Sequence, residues 1–330
     1  MYYKKFSGVV FFSLVFVTLA GLLHFILDFG VKSVRIDQIG KINAIAEHEI
    51  DTEIALFGSS VSEVGIDPSI IEKCTRLKCF NFSLNGTSFY QYRGLIDEFA
   101  SYTKLNKVVV FSETYFSFSK RDVLMSPDIY LAQLSKEHIR NPLEQIDPVL
   151  IRKSYYIPFY RFVAASHIYY KYAAKGILHR VQGKIDKPNL KGFTPVRRNW
   201  EVDADRAIKK AGKYSIVIDQ EVLKLYIEQI KKLQSKGIRV IIIFTPIFKP
   251  ALAQAMSLTP LINAIKEISR KTGVRFLDFS NSSLVDQKTM FYNSNHLNLM
   301  GAQLFSKQLG DSICKLISAD GLNCESSVNN

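Results

Sequence analysis

The segment Ile54–Ser60 reads IALFGSS, an apolar run that ends at a glycine followed by two serines. Ile54–Phe57 predicts a buried strand, and Gly58 allows a sharp turn and a close backbone approach to a ligand. A serine just after such a turn holds its hydroxyl at the carboxyl edge of a sheet, beside free N–H groups of the next segment. This is the geometry that a nucleophile needs, although an ordinary strand-to-helix turn can have the same sequence.

Further apolar runs recur along the chain and alternate with amphipathic stretches. The later predicted strands are Cys79–Phe82, Val108–Phe111, Val240–Phe244 and Phe276–Phe279. The predicted helices are Ser88–Tyr102, a stripe from Val222 to Leu233 closed by Gly237, a segment begun by Thr259-Pro260, and a C-terminal helix capped by Asn298. This alternation predicts an α/β fold with a parallel sheet covered on both faces and a ligand site at the carboxyl ends of the strands.

The same pattern divides the 330-residue chain into five segments. These are a short cytoplasmic tip with an apolar span (1–30), the first half of the α/β domain (31–114), an insertion that breaks the rhythm (115–214), the second half (215–318) and a C-terminal tail (319–330). The length is sufficient for one large domain with an insertion, or for two domains.

The N-terminal segment predicts a membrane anchor. Phe6–Leu27 contains no Lys, Arg, Asp or Glu, and about 20 apolar residues cross a bilayer core as a helix. Lys4 and Lys5 before the span favour a cytoplasmic N-terminus. A cleaved signal peptide is the alternative, although its apolar region is usually only about 7–15 residues long. Either interpretation places the main domain outside the cytoplasm, in the periplasm or the extracellular space.

The net charge of +13 is concentrated in one part of the insertion. Between Arg152 and Arg198 there are 11 basic residues and one acidic residue, Asp186, and the rest of the chain is close to neutral. Aromatic residues are interleaved with these cations. The side chains that we select as candidate substrate or membrane contacts are Arg152, Lys153, Tyr155, Tyr156 and Arg161.

Interleaved cations and aromatic rings often bind nucleic acid, but a location outside the cytoplasm argues against that partner. Three interpretations remain open. The segment lies on anionic lipid headgroups, or it forms a groove in which rings stack on an anionic glycan, or it is a helical subdomain with core aromatics and solvated cations.

A histidine precedes the C-terminal helix in the run Asn293-Ser294-Asn295-His296-Leu297-Asn298. A lone histidine in a loop is usually a surface residue. His296 and Ser60, however, belong to the last and first strand units and lie at the same predicted edge of the sheet. A neutral imidazole there can take the proton of the hydroxyl, so we predict that Ser60 and His296 form a catalytic pair.

The loop after the second predicted strand contains Asn85 and Gly86. The backbone N–H of Gly86 and the side-chain amide of Asn85 can point at an oxyanion, and the N–H of Ser60 can complete an oxyanion hole. The alternative is a simple loop in which Thr87 or Ser88 caps the next helix.

The four cysteines form two pairs that are local in sequence, Cys74 with Cys79 and Cys314 with Cys324. An even number of cysteines in an oxidising compartment predicts disulfides, and four unpaired thiols are the alternative. No Cys-x-x-Cys spacing is present, so we expect no zinc site built on cysteines.

The blocks Gly58-Ser59-Ser60, Asn85-Gly86 and His296-Leu297-Asn298, in this order, resemble the SGNH/GDSL hydrolase superfamily. Ser60 matches the nucleophile of the first block, Gly86 the oxyanion glycine of the second, and His296 the histidine of the last. The resemblance covers about residues 50–113 and 238–310. Gly65-Ile66-Asp67-Pro68 is similar to members devoted to cell-envelope polymers, such as the alginate O-acetylation and teichoic-acid D-alanylation proteins.

This resemblance implies a flavodoxin-like three-layer α/β/α fold and ester chemistry on a glycan or polymer of the cell envelope. The implied activity is that of a serine esterase or O-acyltransferase that forms an acyl-serine intermediate and needs no metal or organic cofactor. In several similar systems a membrane-bound O-acyltransferase supplies the acyl group. The alternative is a catalytically degenerate domain that binds polysaccharide or scaffolds such an acyltransferase.

Two positions depart from the family pattern. The last block usually carries Asp three residues before the histidine, where this chain has Asn293. An amide oxygen can accept the Nδ1–H bond and hold the tautomer, but it cannot stabilise the imidazolium by charge. We predict that Glu113, just after the third predicted strand, or Asp278 in the last predicted strand supplies that charge. The asparagine of the third block has no counterpart near Ser112-Glu113-Thr114.

Overall fold

The computed structural model describes residues 2–104, 107–165, 167–184, 189–200, 215–250 and 257–319. In this part of the chain five parallel strands form one sheet: β1 Ile54–Gly58, β2 Cys79–Asn81, β3 Val108–Glu113, β4 Arg239–Phe244 and β5 Arg275–Asp278. Their spatial order is β2-β1-β3-β4-β5, and every neighbouring pair is parallel. This is the flavodoxin-like order, so the predicted α/β fold class is confirmed.

The helices follow the strands in a regular alternation that one insertion interrupts. In chain order they are α1 Tyr2–Ser33, α2 Asp37–Ala46, α3 Ser60–Gly65, α4 Pro68–Thr75, α5 Phe89–Tyr102, α6 Glu137–Glu144, α7 Pro148–Tyr156, α8 Tyr160–Ala164, α9 Ile168–Val181, α10 Gln220–Ser235, α11 Thr259–Thr272 and α12 Leu299–Ala319. Short 3₁₀ turns cover Pro127–Ile129, Leu131–Gln133, Asn189–Gly192 and Lys288–Met290.

Two apolar cores lie on opposite faces of the sheet. Successive side chains of a strand point to opposite faces. Ile54 and Leu56 of β1 therefore join one core with α4 and α12, while Ala55 and Phe57 join the other with α5, α10 and α11. Because both faces are covered, the strands consist mainly of apolar runs, which is why they could be predicted from the sequence, although the edge strand β5 is only partly buried.

The described part of the insertion between β3 and β4 contains the helices α6 to α9, joined by turns and loops. Some of its aromatic side chains are core residues, since Phe162 and Tyr169 are fully buried. Others face outward, as Tyr156 does with 74% of its surface exposed. The buried side chains of the insertion therefore extend the larger core on one face of the sheet, and the insertion also has an exposed aromatic face.

The first helix, α1, includes a stretch from Gly8 to Ser33 that is long and apolar enough to cross a membrane, with a mean hydropathy of 2.5. By length and composition it has the properties of a membrane anchor or a signal sequence. Its last residues are part of the folded domain, because Val31 and the following Val34 are fully buried in the larger core.

The structure does not contain the predicted disulfide between Cys74 and Cys79, because both thiols are free and buried. Cys74 lies on α4 and packs against Gly310 of α12, whereas Cys79 lies within β2, so the two side chains belong to different packing contacts. Cys314 is also free, and its predicted partner Cys324 lies outside the described residues.

Candidate active site

Ser60 lies at the carboxyl edge of the sheet, where β1 turns directly into α3. A side chain at position 58 would place its Cβ 2.8 Å from the carbonyl oxygen of Ser112 on β3, so Gly58 allows the close approach. Ser59 caps α3, with its Oγ accepting a hydrogen bond from the N–H of Val61 at 3.4 Å. Ser60 is then the first helical residue, and only 9% of its surface is exposed.

His296 lies in a loop whose ends are joined by an antiparallel bridge between Phe291 and Leu297. Within the loop, the N–H of Tyr292 donates to the carbonyl oxygen of His296 at 3.1 Å. These contacts hold the imidazole beside α3, and its Nε2 lies 2.8 Å from Oγ of Ser60 although the residues are 236 positions apart. The structure thus brings the two predicted side chains together at the rim of one sheet.

The orientation of the Asn293 amide fixes the tautomer of His296. Oδ1 of Asn293 accepts hydrogen bonds from the backbone N–H groups of Asn295 and His296, both at 3.0 Å, so the oxygen and not the NH₂ group faces the loop. The same oxygen lies 2.9 Å from Nδ1 of His296, which must therefore carry a proton. Nε2 is left with a lone pair and accepts the hydrogen bond of the Ser60 hydroxyl.

Burial lowers the pKa of His296 to about 4. Removing the ring from water penalises the charged imidazolium, and the neutral amide of Asn293 does not offset that cost. The imidazole is therefore neutral at physiological pH, in the form that can accept a proton.

The structure corrects the prediction that Glu113 or Asp278 assists His296, because Asn293 occupies the position at Nδ1. Glu113 lies two residues after Phe111 on β3 and so faces the same core, where Tyr226 donates to it at 2.7 Å. Asp278 is exposed on the edge strand β5 and accepts a hydrogen bond from the N–H of Ser280 at 2.9 Å. β5 is separated from β1 by β3 and β4, which places it about 14 Å away.

A cavity of about 400 Å³ opens at Ser60 and His296. Its described lining is Asp37, Gln38, Ser60, Glu63, Val64, Asn85, Thr194, Tyr292 and His296. Among the described residues no group of three or more His, Cys, Asp or Glu side chains could hold a metal ion. The cavity is therefore polar, with several hydroxyl and amide groups but no metal-binding cluster in the described part of the chain.

The predicted oxyanion residues differ in their positions. Asn85 lines the cavity, whereas Gly86 is not among its described lining residues. Gly86 adopts a left-handed conformation with φ of +72°, and its carbonyl accepts a hydrogen bond from Arg121 at 2.8 Å. The N–H of Ser60 begins α3 and so has no acceptor within the helix. Ser60 and Asn85 are thus the predicted oxyanion donors that border the cavity.

Sequence reasoning missed a buried ion pair beside the nucleophile. Nζ of Lys41 on α2 lies 3.0 Å from Oε1 of Glu63, and it also donates to the carbonyl oxygen of Ser83 at 2.8 Å. Glu63 follows Ser60 by three residues and therefore shares its face of α3. No sequence signal marks this pair, because α2 comes from the segment after the apolar span and reaches the site only through tertiary packing.

Arg161 is not a surface contact, contrary to the prediction. Its side chain is largely buried against α1, where it lies 3.0 Å from Oδ1 of Asp28 and donates to the carbonyl oxygen of Leu131 at 3.2 Å. A long cationic side chain in this position completes the packing of the insertion against the apolar helix.

The other four predicted contacts lie on α7, away from the described lining of the cavity. Nε of Arg152 lies 2.5 Å from Oε1 of Glu144, and the Nζ of Lys153 lies 5.6 Å from the centre of a neighbouring tyrosine ring. Tyr155 and Tyr156 contact each other edge to face, and both are exposed. That these four side chains contact a substrate or a membrane remains a prediction.

Comparison with known proteins gives little beyond the structure. The sequence matches no family model and no curated protein sequence. The solved structures matched in a structural comparison include the crystal structure of a proposed acylhydrolase from Bacteroides fragilis, with a TM-score of 0.35 and 9% sequence identity over 79% of this chain and 87% of that chain. Similarity at this level says nothing about the activity of this chain. Fold and site define an α/β/α protein with a hydrogen-bonded Ser–His–Asn arrangement at the carboxyl edge of a parallel sheet.

Proposed function

We propose that the chain is a membrane-anchored serine esterase or O-acyltransferase of the SGNH/GDSL type. In this proposal α1 is the anchor, the main domain lies outside the cytoplasm, and the substrate is an ester of a cell-envelope glycan or polymer. One observation carries the proposal: Oδ1 of Asn293, the imidazole of His296 and Oγ of Ser60 form a continuous hydrogen-bonded chain with distances of 2.9 and 2.8 Å.

The hydrogen bonds from Asn293 through His296 to Ser60 support acylation of Ser60. As Oγ attacks the acyl carbonyl carbon, Nε2 of His296 takes the hydroxyl proton, and the carbonyl π electrons move to the oxygen of a tetrahedral intermediate. The N–H of Ser60 and the amide of Asn85 are the donors available to that oxyanion. When the intermediate collapses, the imidazolium gives its proton to the departing alkoxide, which leaves an alcohol and an acyl-Ser60 ester.

Deacylation repeats these steps with a new nucleophile. Nε2 of His296 takes a proton from water or from a sugar hydroxyl, whose oxygen attacks the acyl-Ser60 carbonyl, and Oγ leaves with the proton from the imidazolium. Water gives hydrolysis and a sugar hydroxyl gives transfer. In the transfer case a membrane-bound O-acyltransferase is the partner that supplies the acyl group.

The lining of the cavity supports a hydroxyl-rich ligand. Asp37, Gln38 and Thr194 offer hydrogen-bonding side chains at its wall. The ring of Tyr292 stacks on the imidazole, with centroids 5.4 Å apart and an angle of 20° between planes. No lysine or arginine is among the described lining residues, so the cavity itself favours neutral sugar units over strongly anionic ones.

Hydrolysis of p-nitrophenyl acetate by the full chain in detergent tests the proposal. Ser60→Ala should reduce the rate at least about 10²-fold, to the background level. Ser62→Ala is the matched control, because that hydroxyl is buried on the same helix without a hydrogen-bond partner in the described part of the chain. Equal rates for Ser60→Ala and the unmodified protein would contradict the proposal.

A catalytically degenerate domain that binds polysaccharide or scaffolds an acyltransferase is the second candidate, and Asn293 favours it. A neutral amide at Nδ1 leaves the imidazolium without a charged partner, which costs about 2–4 kcal/mol of transition-state stabilisation. Under this alternative the folded protein binds purified envelope glycan but releases no p-nitrophenol above the Ser60→Ala rate.

A further inference from the structure

The insertion packs against the polar end of α1. Asp28 is the first charged residue after the uncharged stretch Phe6–Leu27, so it marks the outer end of the apolar part of the helix. Arg161 pairs with Asp28 at 3.0 Å and also lies 2.7 Å from Nε2 of His24, and Nδ1 of that histidine accepts from the N–H of Phe159 at 3.2 Å. The insertion thus supplies a cationic partner for Asp28 and a hydrogen bond for His24 at this end of the span, where polar groups of a membrane helix usually find protein partners.

A close helix crossing fixes α9 against α1. A Cβ built on Gly176 would meet the carbonyl oxygen of Gly30, and one built on Gly30 would lie 2.3 Å from the carbonyl oxygen of Ala173. Small residues on both helices let the two backbones touch, as they do between packed membrane helices. The position of the insertion along α1 is therefore set by backbone contact as well as by the ion pair between Arg161 and Asp28.

The same insertion carries most of the exposed apolar surface outside α1. Of the 14 large apolar side chains that are described as exposed there, nine lie between Val149 and Val181. Val163, Leu178 and Val181 are 78%, 52% and 81% exposed. A soluble surface rarely concentrates apolar side chains in this way unless something covers them.

The charge of this segment is of one sign. From Val149 to Lys184 the sequence contains seven basic residues and no aspartate or glutamate. Lys171 and Arg180 of α9 are exposed between the apolar side chains. Apolar and cationic groups on one face are the composition of a helix that lies in the headgroup region of an anionic bilayer.

We infer that α7–α9 form a second membrane-contacting surface, which lies on anionic phospholipid headgroups beside α1. The position of α8 along α1 supports contact with phospholipid headgroups. His24, which contacts α8, precedes Asp28 by four residues, so α8 lies about 6 Å along the helix beyond the polar boundary. Peripheral amphipathic helices insert their apolar face to a similar depth of about 5–10 Å.

The surface also sets where the cavity lies. The hydroxyl of Tyr172 on α9 donates to Oδ2 of Asp37 at 3.2 Å, and Asp37 lines the cavity beside Ser60. Asp37 follows the end of α1 by only four residues. The cavity is therefore held close to the bilayer surface, where it meets membrane-associated esters or glycans.

The proposal rests on α1 as a membrane span, and depth-dependent fluorescence quenching tests it. The full chain is reconstituted into vesicles with Trp200→Phe, which removes the one native tryptophan, and with Val163→Trp as the reporter. Brominated phospholipids in the same vesicles should quench this reporter. The matched reporter is Val217→Trp, placed before α10 at a residue that is 60% exposed. Brominated phospholipids should not quench the emission of this second reporter.

Charge dependence is tested with Lys171→Glu combined with Lys175→Glu. Quenching of the position-163 reporter should be stronger in vesicles that contain phosphatidylglycerol than in phosphatidylcholine alone, and the double substitution should abolish that difference. The control combines Lys231→Glu on α10 with Lys266→Glu on α11, which changes the net charge by the same amount. This control should leave the difference in quenching between the two kinds of vesicle unchanged.

Three results would overturn the inference. The first is no more quenching at position 163 than at position 217, and the second is equal quenching in both kinds of vesicle. The third is blue-shifted emission without bromine quenching, which would assign the face to a second copy or another protein. Resistance of the chain to alkaline carbonate extraction reports anchoring by α1 separately, and ester hydrolysis reports the proposed activity separately.

Discussion

Oδ1 of Asn293 lies 2.9 Å from Nδ1 of His296 and at the same time accepts two backbone N–H groups of its own loop. One side chain therefore shapes the loop and selects the tautomer whose Nε2 faces Ser60. An aspartate side chain has nearly the same shape as that of asparagine and carries two carboxylate oxygens. It could keep all three hydrogen bonds while adding a negative charge beside the ring.

Asn293→Asp should raise both the pKa of His296 and the rate of ester hydrolysis. The carboxylate stabilises the imidazolium that forms as Ser60 loses its proton, and restoring about 2–4 kcal/mol corresponds to a gain of about 30- to 10³-fold in kcat/KM. NMR titration of the histidine and the p-nitrophenyl acetate assay measure the two effects. Asn293→Ala should lower the rate, since it removes the acceptor that holds the ring. A rate for Asn293→Asp below that of the unmodified protein would be inconsistent with this role.

The pH profile of the unmodified protein should reflect the lowered pKa of His296, which is about 4. Below that pH the imidazole is protonated and cannot take the Ser60 proton, so kcat/KM should fall as the pH decreases through about 4. It should be nearly constant between about pH 5.5 and 8, whereas an ordinary histidine base would lose activity near pH 6.5. An inflection near 6.5 in kcat/KM would show that burial does not control this base.

Lys41→Met should destabilise the protein by about 3–5 kcal/mol, because it leaves the carboxylate of Glu63 buried without its cation. The side chains of this pair are only 5% and 7% exposed. Adding Glu63→Leu should recover much of the loss, since it removes the orphaned charge. Urea unfolding of the detergent-solubilised chain measures both variants.

Lys224→Met is the control for the buried pair, because its contact with Glu228 is exposed and 4.0 Å long. It should change the free energy of unfolding by less than about 0.5 kcal/mol. If Lys41→Met proved as mild as Lys224→Met, the buried pair would not contribute to the stability of the site.

Glu113→Gln should make stability less dependent on pH. Burial raises the pKa of Glu113 to about 7 from the ordinary value of 4.5, so the folded state holds this proton more tightly than the unfolded state does. The stabilisation that comes from the tighter binding of this proton in the folded state is fully present below about pH 4.5 and is lost as the pH rises through 7. The glutamine keeps an oxygen for the hydroxyl of Tyr226 and has no charge to bury.

The unmodified protein should therefore lose up to about 3 kcal/mol more than Glu113→Gln between pH 5 and 8, as measured by urea unfolding at each pH. Glu267→Gln is the control, because that exposed carboxylate has a lowered pKa and is ionised throughout this range. Parallel stability curves for Glu113→Gln and the unmodified protein would contradict the assignment.

The sheet was predictable because four of its strands, β1 to β4, are buried on both faces. Val240–Phe244 was expected and β4 covers Arg239–Phe244, while Phe276–Phe279 was expected and β5 is shifted by one residue to Arg275–Asp278. The closeness of Ser60 and His296 followed from the same logic, since parallel strands end at one edge. Their catalytic roles remain predictions.

The rest of the site depends on contacts that strand and helix patterns do not encode. Glu113 was expected at the rim, but the alternation along β3 turns it toward Tyr226 in the core. Asp37 and Lys41 reach the site on α2, whose position depends on how α1 joins the domain. Arg161 has a buried partner, Asp28, 133 residues before it in the sequence, so local composition made it resemble a surface cation.

Reaction of the full chain with a fluorophosphonate, followed by intact-mass measurement and peptide mapping, tests the central claim most directly. A serine hydroxyl hydrogen-bonded to a neutral imidazole should form one covalent adduct, located on Ser60, and His296→Ala should slow its formation at least about 10²-fold. A folded protein that forms no adduct on Ser60, or that reacts equally fast without the imidazole, would contradict the claim that His296 activates Ser60.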